Sequence, residues 1–319
     1  MMLWVFLLAA GNVTAVSDQP IVAVVADAPT PTAARPGAIR PGDLVLVGAG
    51  DIADCGTNDD EKTAVQVERV LAKSDKAHAF TLGDNTYPNG TLEEFFRCYE
   101  PTWGRFKGRT LPVVGNHDYH TKNAAGFRGT FARRFTADGP LWFSTDVEGH
   151  GTDGKPAKWH VVVLDSNCGK IGCGPGSPQH KWLLADLKKN VATRCTLALF
   201  HHPRFSSGPH GDADPMAALW GALDGGGVDL VLAGHDHTYE RFPALTSDGT
   251  LANGRGIQSI VVGTGGKSHY PIVIARQHSV FREAGAYGVL QLQLDNTGWH
   301  SRFLSAAGEE RDVVDGACR

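Results

Sequence analysis

The stretch from Val228 to His237 reads VDLVLAGHDH and joins a short apolar run to two histidines that follow a glycine. The run VDLVLA is typical of a strand buried on both faces. Two histidines at alternate positions after such a strand are poorly suited to a helix or a turn, but they place two imidazole rings on one loop. We therefore interpret His235 and His237 as candidate metal ligands.

Four other apolar runs along the chain also end in polar residues. LVLV at 44–47 leads to Gly50-Asp51, AFTL at 79–82 to Gly83-Asp84, LPVV at 111–114 to Gly115-Asn116-His117-Asp118, and TLALF at 196–200 to His201-His202. Because the carboxyl ends of the strands in an α/β sheet lie along one edge, we expect these side chains to gather there. A glycine before the polar residue allows a sharp turn at that edge.

Amphipathic segments between several of these runs predict an α/β core. Helices are expected over 59–73, 91–99 and 177–189, the last with a serine cap and a proline in its first turn. Later runs at 159–164, 257–262, 288–294 and 299–304 have no long helices between them, which suggests a second sheet of more antiparallel character. Since the candidate ligands extend from Asp51 to His237, a boundary between them would divide the site. Residues 44–319 are therefore predicted to form one domain.

Carboxylates, an amide and several imidazoles at one sheet edge favour a metal centre. Buried groups of these types are costly without partners, and cations remove that cost. Mixed oxygen and nitrogen donors without thiolate favour Zn, Mn or Fe. The donors are numerous enough for two metals that share one carboxylate, an arrangement that activates water and clamps a phosphoryl group. The predicted chemistry is hydrolysis of a phosphoester.

Taken singly, several of these residues have simpler explanations. A Gly-Asp pair after a strand, as at Asp51 and Asp84, is often only a turn. His201 alone could be a core histidine, and the GNHD cluster at 115–118 could be a capping cluster. The GHDH loop at 234–237 is the strongest single motif, and the joint order of all five favours the metal centre.

The ordered set GD, GDxxY, GNHD, HxP and GHxH resembles the calcineurin-like metallophosphoesterases. The GDNTY form at 83–87 is similar to the purple acid phosphatase branch, and stretches such as LGDNTYPNG and GHDHTYERF resemble exported bacterial members. The resemblance extends over about residues 44–319. It implies a fold of the α/β class, a four-layer α/β/β/α sandwich of two packed mixed β-sheets flanked by helices.

The resemblance also implies two metal ions. The first would be held by Asp51, Asp84, Tyr87 and His237, and the second by Asp84, Asn116, His201 and His235, with Asp84 bridging. Many relatives carry D-x-H at the first motif, but Ala53 stands at the third position here, which makes Tyr87 the fourth ligand of the first metal. A phenolate favours Fe(III), whereas Fe, Zn or Mn would serve at the second position. The alternative for Tyr87 is an aromatic ring packed on the loop.

Three residues are candidate catalytic groups. His117 resembles the residue that contacts the phosphate or protonates the leaving oxygen in relatives. Asp118 is expected to orient His117, with a structural role in the turn as the alternative. His202 either faces the substrate or only packs beside it. The predicted reaction is hydrolysis of a phosphate monoester by in-line attack of metal-activated water. A phosphodiesterase or nucleotidase would use the same residues, and a catalytically silent metal-binding protein is the alternative from another class.

Composition limits the partners and the compartment. The chain has 319 residues, with 30 Lys plus Arg against 34 Asp plus Glu, and the resulting charge of −4 argues against nucleic-acid binding by bulk charge. We expect a small phosphorylated substrate. The apolar run Met1 to Ala10 is too short to span a bilayer but typical of an export signal. Residues 1–17 are thus predicted to be a signal peptide, with a buried strand as the alternative, and the mature chain to be secreted or periplasmic without a transmembrane segment. The Pro-rich residues 18–43 are predicted to be a linker or arm.

The six cysteines are even in number and include no C-x-x-C pair, which disfavours a zinc knuckle. In an exported chain, disulfides are favoured, and free buried thiols are the alternative. The spacing of Cys168 and Cys173 suggests one small loop. For the remaining four we expect the pairs Cys55–Cys98 and Cys195–Cys318.

Overall fold

The structure, a computed structural model, describes residues 37–252 and 256–319. These residues belong to one compact unit. The predicted signal peptide at 1–17 lies wholly outside the described residues, as does most of the predicted linker at 18–43.

Strands account for most of the regular structure in the described ranges. In chain order they are β1 (Val45–Ala49), β2 (Ala53–Asp54), β3 (Ala77–Thr81), β4 (Thr86–Tyr87), β5 (Thr110–Leu111), β6 (Phe143–His150), β7 (Pro156–Val163), β8 (Cys195–Leu199), β9 (Leu230–Ala233), β10 (Tyr239–Leu245), β11 (Ile257–Val262), β12 (Phe281–Glu283), β13 (Gly288–Leu294), β14 (Gly298–Ser305) and β15 (Glu310–Ala317). Strands β1, β8 and β9 are buried at every residue, as their continuous apolar sequences predict.

The α-helices in the same part of the chain are α1 (Asp59–Leu71), α2 (Leu92–Glu94), α3 (Ala125–Thr130), α4 (Cys168–Ile171), α5 (Pro178–Lys189) and α6 (Ala217–Gly225), and short 3-10 helices occupy Trp103–Arg109, Asp118–His120, Lys122–Ala124 and Asp214–Met216. Helix α5 begins as predicted, because the Ser177 hydroxyl accepts the His180 N–H and a proline occupies the first turn. The helix predicted over 91–99 is divided. After α2, which Thr91 caps, Phe95–Tyr99 continue as a wider π-helical turn.

Two large mixed sheets are present in the described residues, which confirms the predicted α/β fold class. The first has six strands in the order β15-β14-β13-β1-β3-β5, with β1, β3 and β5 parallel. The second has seven strands in the order β12-β10-β11-β9-β8-β7-β6, with β11, β9, β8 and β7 parallel. A short parallel pair, β2 and β4, lies apart from both.

Alternate side chains of β8 show how the layers pack. Leu197 and Leu199 belong to a core that also contains Val45 and Val47 of the six-stranded sheet, so this face of β8 packs toward that sheet. Ala198 and Phe200 point the other way, into a second core with residues of α5 and α6. Helix α1 packs against β1, β3 and β13 on the six-stranded sheet.

The expected grouping of the strands is wrong in one respect. The later runs do not form a separate sheet: β7 and β11 flank β8 and β9, whereas β13 and β14 join β1. The five runs that precede the candidate ligands are therefore split between the sheets. The run predicted over 111–114 is a strand only at Leu111, where β5 ends, and its remainder is loop. Strand pairing depends on long-range contacts that a local pattern does not contain.

All three predicted disulfides, Cys55–Cys98, Cys168–Cys173 and Cys195–Cys318, are confirmed. They fit a protein that folds in an oxidising compartment. None of the helices in the described ranges has the length and apolar character needed to cross a membrane.

Candidate metal centre

The candidate site lies where the carboxyl ends of parallel strands from both sheets meet. Asp51 follows β1, Asp84 follows β3, Asn116 follows β5, His201 follows β8, and His235 and His237 follow β9. Asp51, Asp84 and His235 have positive φ angles of 60°, 47° and 72°. Non-glycine residues rarely adopt such angles, so the fold holds these three side chains in place against local strain.

One part of the site, which we call the tyrosine side, consists of Asp51, Tyr87 and His237. The Tyr87 hydroxyl lies 2.9 Å from Asp51 Oδ1 and 3.3 Å from His237 Nε2. His237 Nδ1 donates to the Ser268 carbonyl at 2.6 Å, which leaves the Nε2 lone pair directed at the hydroxyl. Tyr87 is 1% exposed and Asp51 is fully buried, so these polar groups depend on each other and not on solvent.

The other part, the histidine side, consists of Asn116, His201 and His235. His201 Nδ1 donates to the Leu82 carbonyl at 2.7 Å, so Nε2 is the ring nitrogen that faces the cluster. That Nε2 atom lies 3.0 Å from Asn116 Oδ1 and 3.2 Å from His235 Nδ1. The backbone carbonyls of Leu82 and Ser268 thus fix one imidazole on each side, as outer partners do for metal-binding histidines.

Asp84 lies between the two sides, and each of its carboxylate oxygens faces one of them. Oδ2 accepts a hydrogen bond from the Tyr87 hydroxyl at 3.1 Å, and Oδ1 lies 3.4 Å from His201 Nε2. Candidate donor atoms of Asp51, Asp84 and His201 all lie within 4.8 Å of one another. The geometry therefore brings the seven predicted metal ligands into one continuous cluster.

The donor set fits cations. The Tyr87 hydroxyl has one proton but three neighbouring acceptors, Asp51 Oδ1, Asp84 Oδ2 and His237 Nε2. On the histidine side, oxygen atoms of Asp84 and Asn116 face His201 Nε2. Burial disfavours the charged form of this ring, but the neighbouring Asp84 carboxylate outweighs it and raises the pKa of His201 to about 9, so Nε2 carries a proton that a cation would displace. Lone pairs that face each other at these distances repel unless a proton or a cation lies between them. This excess of acceptors is what a metal site requires.

The charges of the cluster are strongly perturbed. Burial raises the pKa of Asp51 to about 8. Burial also favours the protonated form of Asp84, but the charge of His201 outweighs it and holds the pKa of Asp84 below its usual range. Burial lowers the pKa of His237 to about 4 and that of His235 well below its ordinary value, so both rings are neutral and have lone pairs available for a metal.

His117 lies at the rim of the cluster. Its Nδ1 is 2.7 Å from the Pro88 carbonyl, and its Nε2 is 3.9 Å from Asp84 Oδ2. The side chain is 30% exposed, which leaves it accessible to a molecule that enters the site. The backbone N–H of His117 donates to Asp84 Oδ1 at 2.8 Å and so ties the GNHD loop to the shared carboxylate.

The structure differs from the expectation that Asp118 orients His117. The Asp118 carboxylate accepts hydrogen bonds from Asn85 Nδ2 and from the backbone N–H groups of Asn85 and Gly115. It therefore joins the loop after β3 to the loop after β5, while the Pro88 carbonyl holds the His117 ring. Gly115 is required here, because an added Cβ would overlap the backbone of Asp84.

His202 packs beside the ligands. Its ring centroid lies 4.8 Å from that of His201 and 4.4 Å from that of His235. The Ser166 hydroxyl accepts the backbone N–H groups of His201 and His202, so its own proton points to His202 Nδ1 at 2.8 Å. Burial lowers the pKa of His202 to about 3. The neutral ring lines a cavity of about 380 Å³ that also contacts His235.

Several groups that support the site were not predicted from the sequence. They are the carbonyls of Leu82, Pro88 and Ser268, the Ser166 hydroxyl, and Lys267, whose amine lies over the Tyr87 ring. Backbone carbonyls carry no sequence signal. A clue to Lys267 was available in the run GTGGKS at 263–268, because a glycine-rich turn often marks a close backbone approach.

Curated proteins with similar sequences are purple acid phosphatases. Purple acid phosphatase 1 of Ipomoea batatas is 27% identical over 314 residues, covering 86% of this chain and 63% of the relative. Probable purple acid phosphatase 20 of Arabidopsis thaliana is 26% identical over 306 residues, covering 83% of this chain and 66% of the relative. The chain thus spans slightly less than two thirds of the length of these relatives.

Solved structures support the fold. GAP50, described as the anchor in the inner membrane complex of Plasmodium, matches with a TM-score of 0.66 and 18% identity over 87% of this chain and 90% of that one. Purple acid phosphatase PPD1 from yellow lupin (Lupinus luteus) seeds matches with a TM-score of 0.63 and 17% identity over 88% of this chain and 55% of that one.

Residues 31–239 match the family described as calcineurin-like phosphoesterase. The matched range contains every predicted ligand from Asp51 to His237, together with the parallel strands that carry them. Sequence motifs, sheet topology and donor geometry all agree with this match. The chain belongs to the calcineurin-like phosphoesterase family.

Proposed function

We propose that this protein hydrolyses phosphate monoesters at a centre of two metal ions. The first metal would be held by Asp51, Asp84, Tyr87 and His237, and the second by Asp84, Asn116, His201 and His235. The two ions would activate a water molecule for attack on phosphorus and neutralise the charge of the phosphoryl group. Membership of the phosphoesterase family and similarity to purple acid phosphatases support this proposal.

A single observation carries the two-metal assignment. The oxygens of Asp84 face opposite donor sets, with Oδ2 toward Tyr87 at 3.1 Å and Oδ1 toward His201 at 3.4 Å. One carboxylate with anionic and neutral donors on one side and neutral donors on the other is suited to bridging two cations. The excess of acceptors around Tyr87 and His201 supports the same assignment.

His117 is the proposed acid at the leaving group. Its Nδ1 is held by the Pro88 carbonyl, so Nε2 is the nitrogen free to contact a phosphate oxygen or deliver a proton. Asp118 acts on the site through the backbone, since its bonds to Asn85 and Gly115 set the path of the two loops that carry Asp84 and Asn116. His202 is proposed to form a neutral wall of the adjoining cavity, where it contacts the substrate.

Fe(III) is the proposed ion of the tyrosine side. Burial and the adjacent Asp51 carboxylate raise the pKa of Tyr87 well above its ordinary value, so a strongly charged cation is needed to displace the phenol proton. The histidine side offers an amide oxygen and two imidazoles, which suit Fe, Zn or Mn.

Two alternatives use the same scaffold. A phosphodiesterase or nucleotidase would share the metal ligands and differ in the loops around the cavity. A silent binding protein is also compatible with the fold, because one structural neighbour is described as an anchor. The presence of all seven predicted ligands together with His117 favours the enzyme.

We also propose that residues 1–17 are an export signal, that 18–43 form a linker or arm, and that 44–319 are a single catalytic domain of a secreted or periplasmic protein. The three disulfides support an oxidising compartment. The distribution of the candidate ligands over both sheets supports one domain.

The decisive experiment combines metal analysis with a substrate panel. The purified protein, reconstituted with Fe, Zn and Mn in turn, is assayed with an aryl phosphate and with the matching bis-aryl phosphate. We expect two metals per chain and faster hydrolysis of the monoester. A preference for the diester would favour the phosphodiesterase, and metal binding without hydrolysis of either substrate would favour the silent protein.

A further inference from the structure

Lys267 places a cation beside Tyr87, and the proposed reaction makes no use of it. The lysine Nζ lies 5.0 Å from the centroid of the Tyr87 ring, within the range at which a cation interacts with an aromatic face. The same amine donates to Asp54 Oδ2 at 2.6 Å. The Lys267 side chain is 27% exposed and that of Asp54 is 21% exposed, so water screens the pair only partly.

Two features of the fold hold this cation in place: the backbone of its turn and the pairing of β2 with β4. The Lys267 N–H donates to the Asp51 carbonyl at 2.9 Å, which anchors the lysine backbone to a proposed ligand. The preceding Gly266 has φ of 158°, and an added Cβ would contact the Ile52 carbonyl at 2.6 Å, so the turn needs glycine. In the short β2–β4 pair, Asp54 lies directly opposite Tyr87. The register of that pair therefore brings the carboxylate beside the ring, and the Lys267 amine contacts both.

A lysine is an unexpected neighbour for a site that binds cations, because like charges repel each other. The negative charge of Asp54 reduces this repulsion. Asp54 is itself fixed, since its Oδ1 accepts the Gly56 N–H at 3.0 Å beside the Cys55–Cys98 disulfide. The cation faces the ring of Tyr87, so its field acts most strongly on the electrons of that side chain.

We propose that Lys267 is a positioning residue that tunes electron donation from Tyr87 to the metal, and that Asp54 limits its effect. This inference rests on the proposed Fe(III) at the tyrosine side. A positive charge near the ring stabilises the phenolate electrons and raises the energy of the tyrosinate-to-iron transition. Removing Lys267 should therefore move the visible absorption band to longer wavelength, and removing the charge of Asp54 should move it to shorter wavelength.

The test compares visible spectra of the full chain loaded with Fe(III) and Zn(II). Lys267→Met keeps the aliphatic stem and removes the charge, and a Coulomb estimate predicts a red shift on the order of 10 nm. Asp54→Asn should give a smaller blue shift, and Lys267→Arg should return the band close to the wild-type position. Lys158→Met removes a lysine from the ion pair with Asp146 in the β6–β7 hairpin and should leave the band unchanged.

The opposite directions of the two band shifts distinguish an electrostatic effect on Tyr87 from a purely structural role of the ion pair. Both Lys267→Met and Asp54→Asn break the same ion pair, so a purely structural role predicts shifts in the same direction, and that result would overturn the inference. A wild-type band that neither variant moves would also overturn it and leave the proposed function intact. A wild-type protein loaded with iron that shows no visible band would refute the Fe(III)–Tyr87 assignment and the inference with it. Should Lys267→Met fail to fold, the sign of the Asp54→Asn shift alone supports or contradicts the proposal.

Discussion

The tyrosine side and the histidine side of the site share Asp84 but differ in charge. The tyrosine side combines Asp51 with a phenol, and both groups become anionic when they bind a strong cation. The histidine side contributes an amide and two imidazoles, all of them neutral ligands. Anionic oxygen donors favour a trivalent ion, whereas neutral nitrogen and oxygen donors accept several divalent ions. This difference supports the proposal of two unlike metal positions, whose ligands come from strands of two sheets.

Loss of the shared carboxylate should have the largest effect, because it removes a ligand from both positions. For Asp84→Ala we expect metal content to fall on both sides and phosphate ester hydrolysis to drop by about 10³-fold or more. Metal analysis and kcat/KM with an aryl phosphate measure the outcome. Asp229→Ala is a matched control, since Asp229 is a buried carboxylate that accepts a hydrogen bond from the Thr196 N–H. It lies just before β9, at the end of that strand away from His235. Retention of one full metal equivalent by Asp84→Ala would argue against bridging.

Replacing His117 tests whether the reaction needs a proton donor in addition to the two metal positions. Replacement by alanine should lower kcat by about 10²-fold or more while both metals stay bound. His120→Ala is the control, because His120 Nδ1 contacts the same Pro88 carbonyl at 3.0 Å. An unchanged kcat in the His117 variant would remove this residue from the reaction.

Single-ligand variants should separate the two sides. Tyr87→Phe should abolish visible absorption and leave the metal of the histidine side in place. Asn116→Ala should keep the colour and lower the affinity for the metal of the histidine side by at least about 10-fold. That factor is the lower end of the loss seen for outer partners of metal ligands. Titration of each variant with one metal at a time, followed by absorption and mass spectrometry, distinguishes the two outcomes. Parallel loss of both metals in each variant would mean that the sides are not independent.

Asp118 should influence the histidine side through the backbone. Alanine at this position leaves donors of Asn85 and Gly115 without their acceptor in a buried environment. We expect the free energy of unfolding to fall by about 3 kcal/mol and the metal near Asn116 to bind more weakly than the metal near Tyr87. Denaturant unfolding of the metal-free protein measures the first effect. A stability equal to wild type would show that these hydrogen bonds are replaced.

Asp60 lies beneath the tyrosine side and should give the stability of the protein a small dependence on pH. Its carboxylate accepts the Thr102 hydroxyl at 2.6 Å, and its Cα lies close behind Gly266 of the Lys267 turn. Burial raises the pKa of Asp60 to about 6. The native state therefore holds this proton more tightly than the unfolded chain, and stability should decrease as pH rises from about 4 to about 6.

Asp60→Asn should flatten that slope, which thermal unfolding of the metal-free protein across this pH range can measure. Asp43→Asn serves as the comparison, since Asp43 is another buried carboxylate, which lies just before β1 and is paired with Arg40. A slope in the Asp60 variant as steep as that of wild type would assign the pH dependence to other groups.

Much of the site could be predicted because each ligand follows an apolar run. The sequence around Asp84 or His235 contains both the strand and the residue at its end, so strand and ligand can be predicted together. The role of Asp118 was harder to predict, because proximity along the chain suggested His117 as its partner. Its observed partner Asn85 lies 33 residues away. Such hydrogen bonds depend on the relative placement of loops and not on local pattern.

The sequence by itself determined the order of the strand-end motifs, the α/β class, the small Cys168–Cys173 loop and the residue types available to a metal. These features follow from local periodicity, spacing and donor chemistry. Only the tertiary structure decided that β1, β3 and β5 belong to one sheet and β8 and β9 to another, so that the ligands converge from two edges. It also decided that Lys267 meets Asp54 across 213 residues and lies over Tyr87. The physical reason is that strand pairing and side-chain contacts depend on packing between distant segments, whose energies no short stretch of sequence contains.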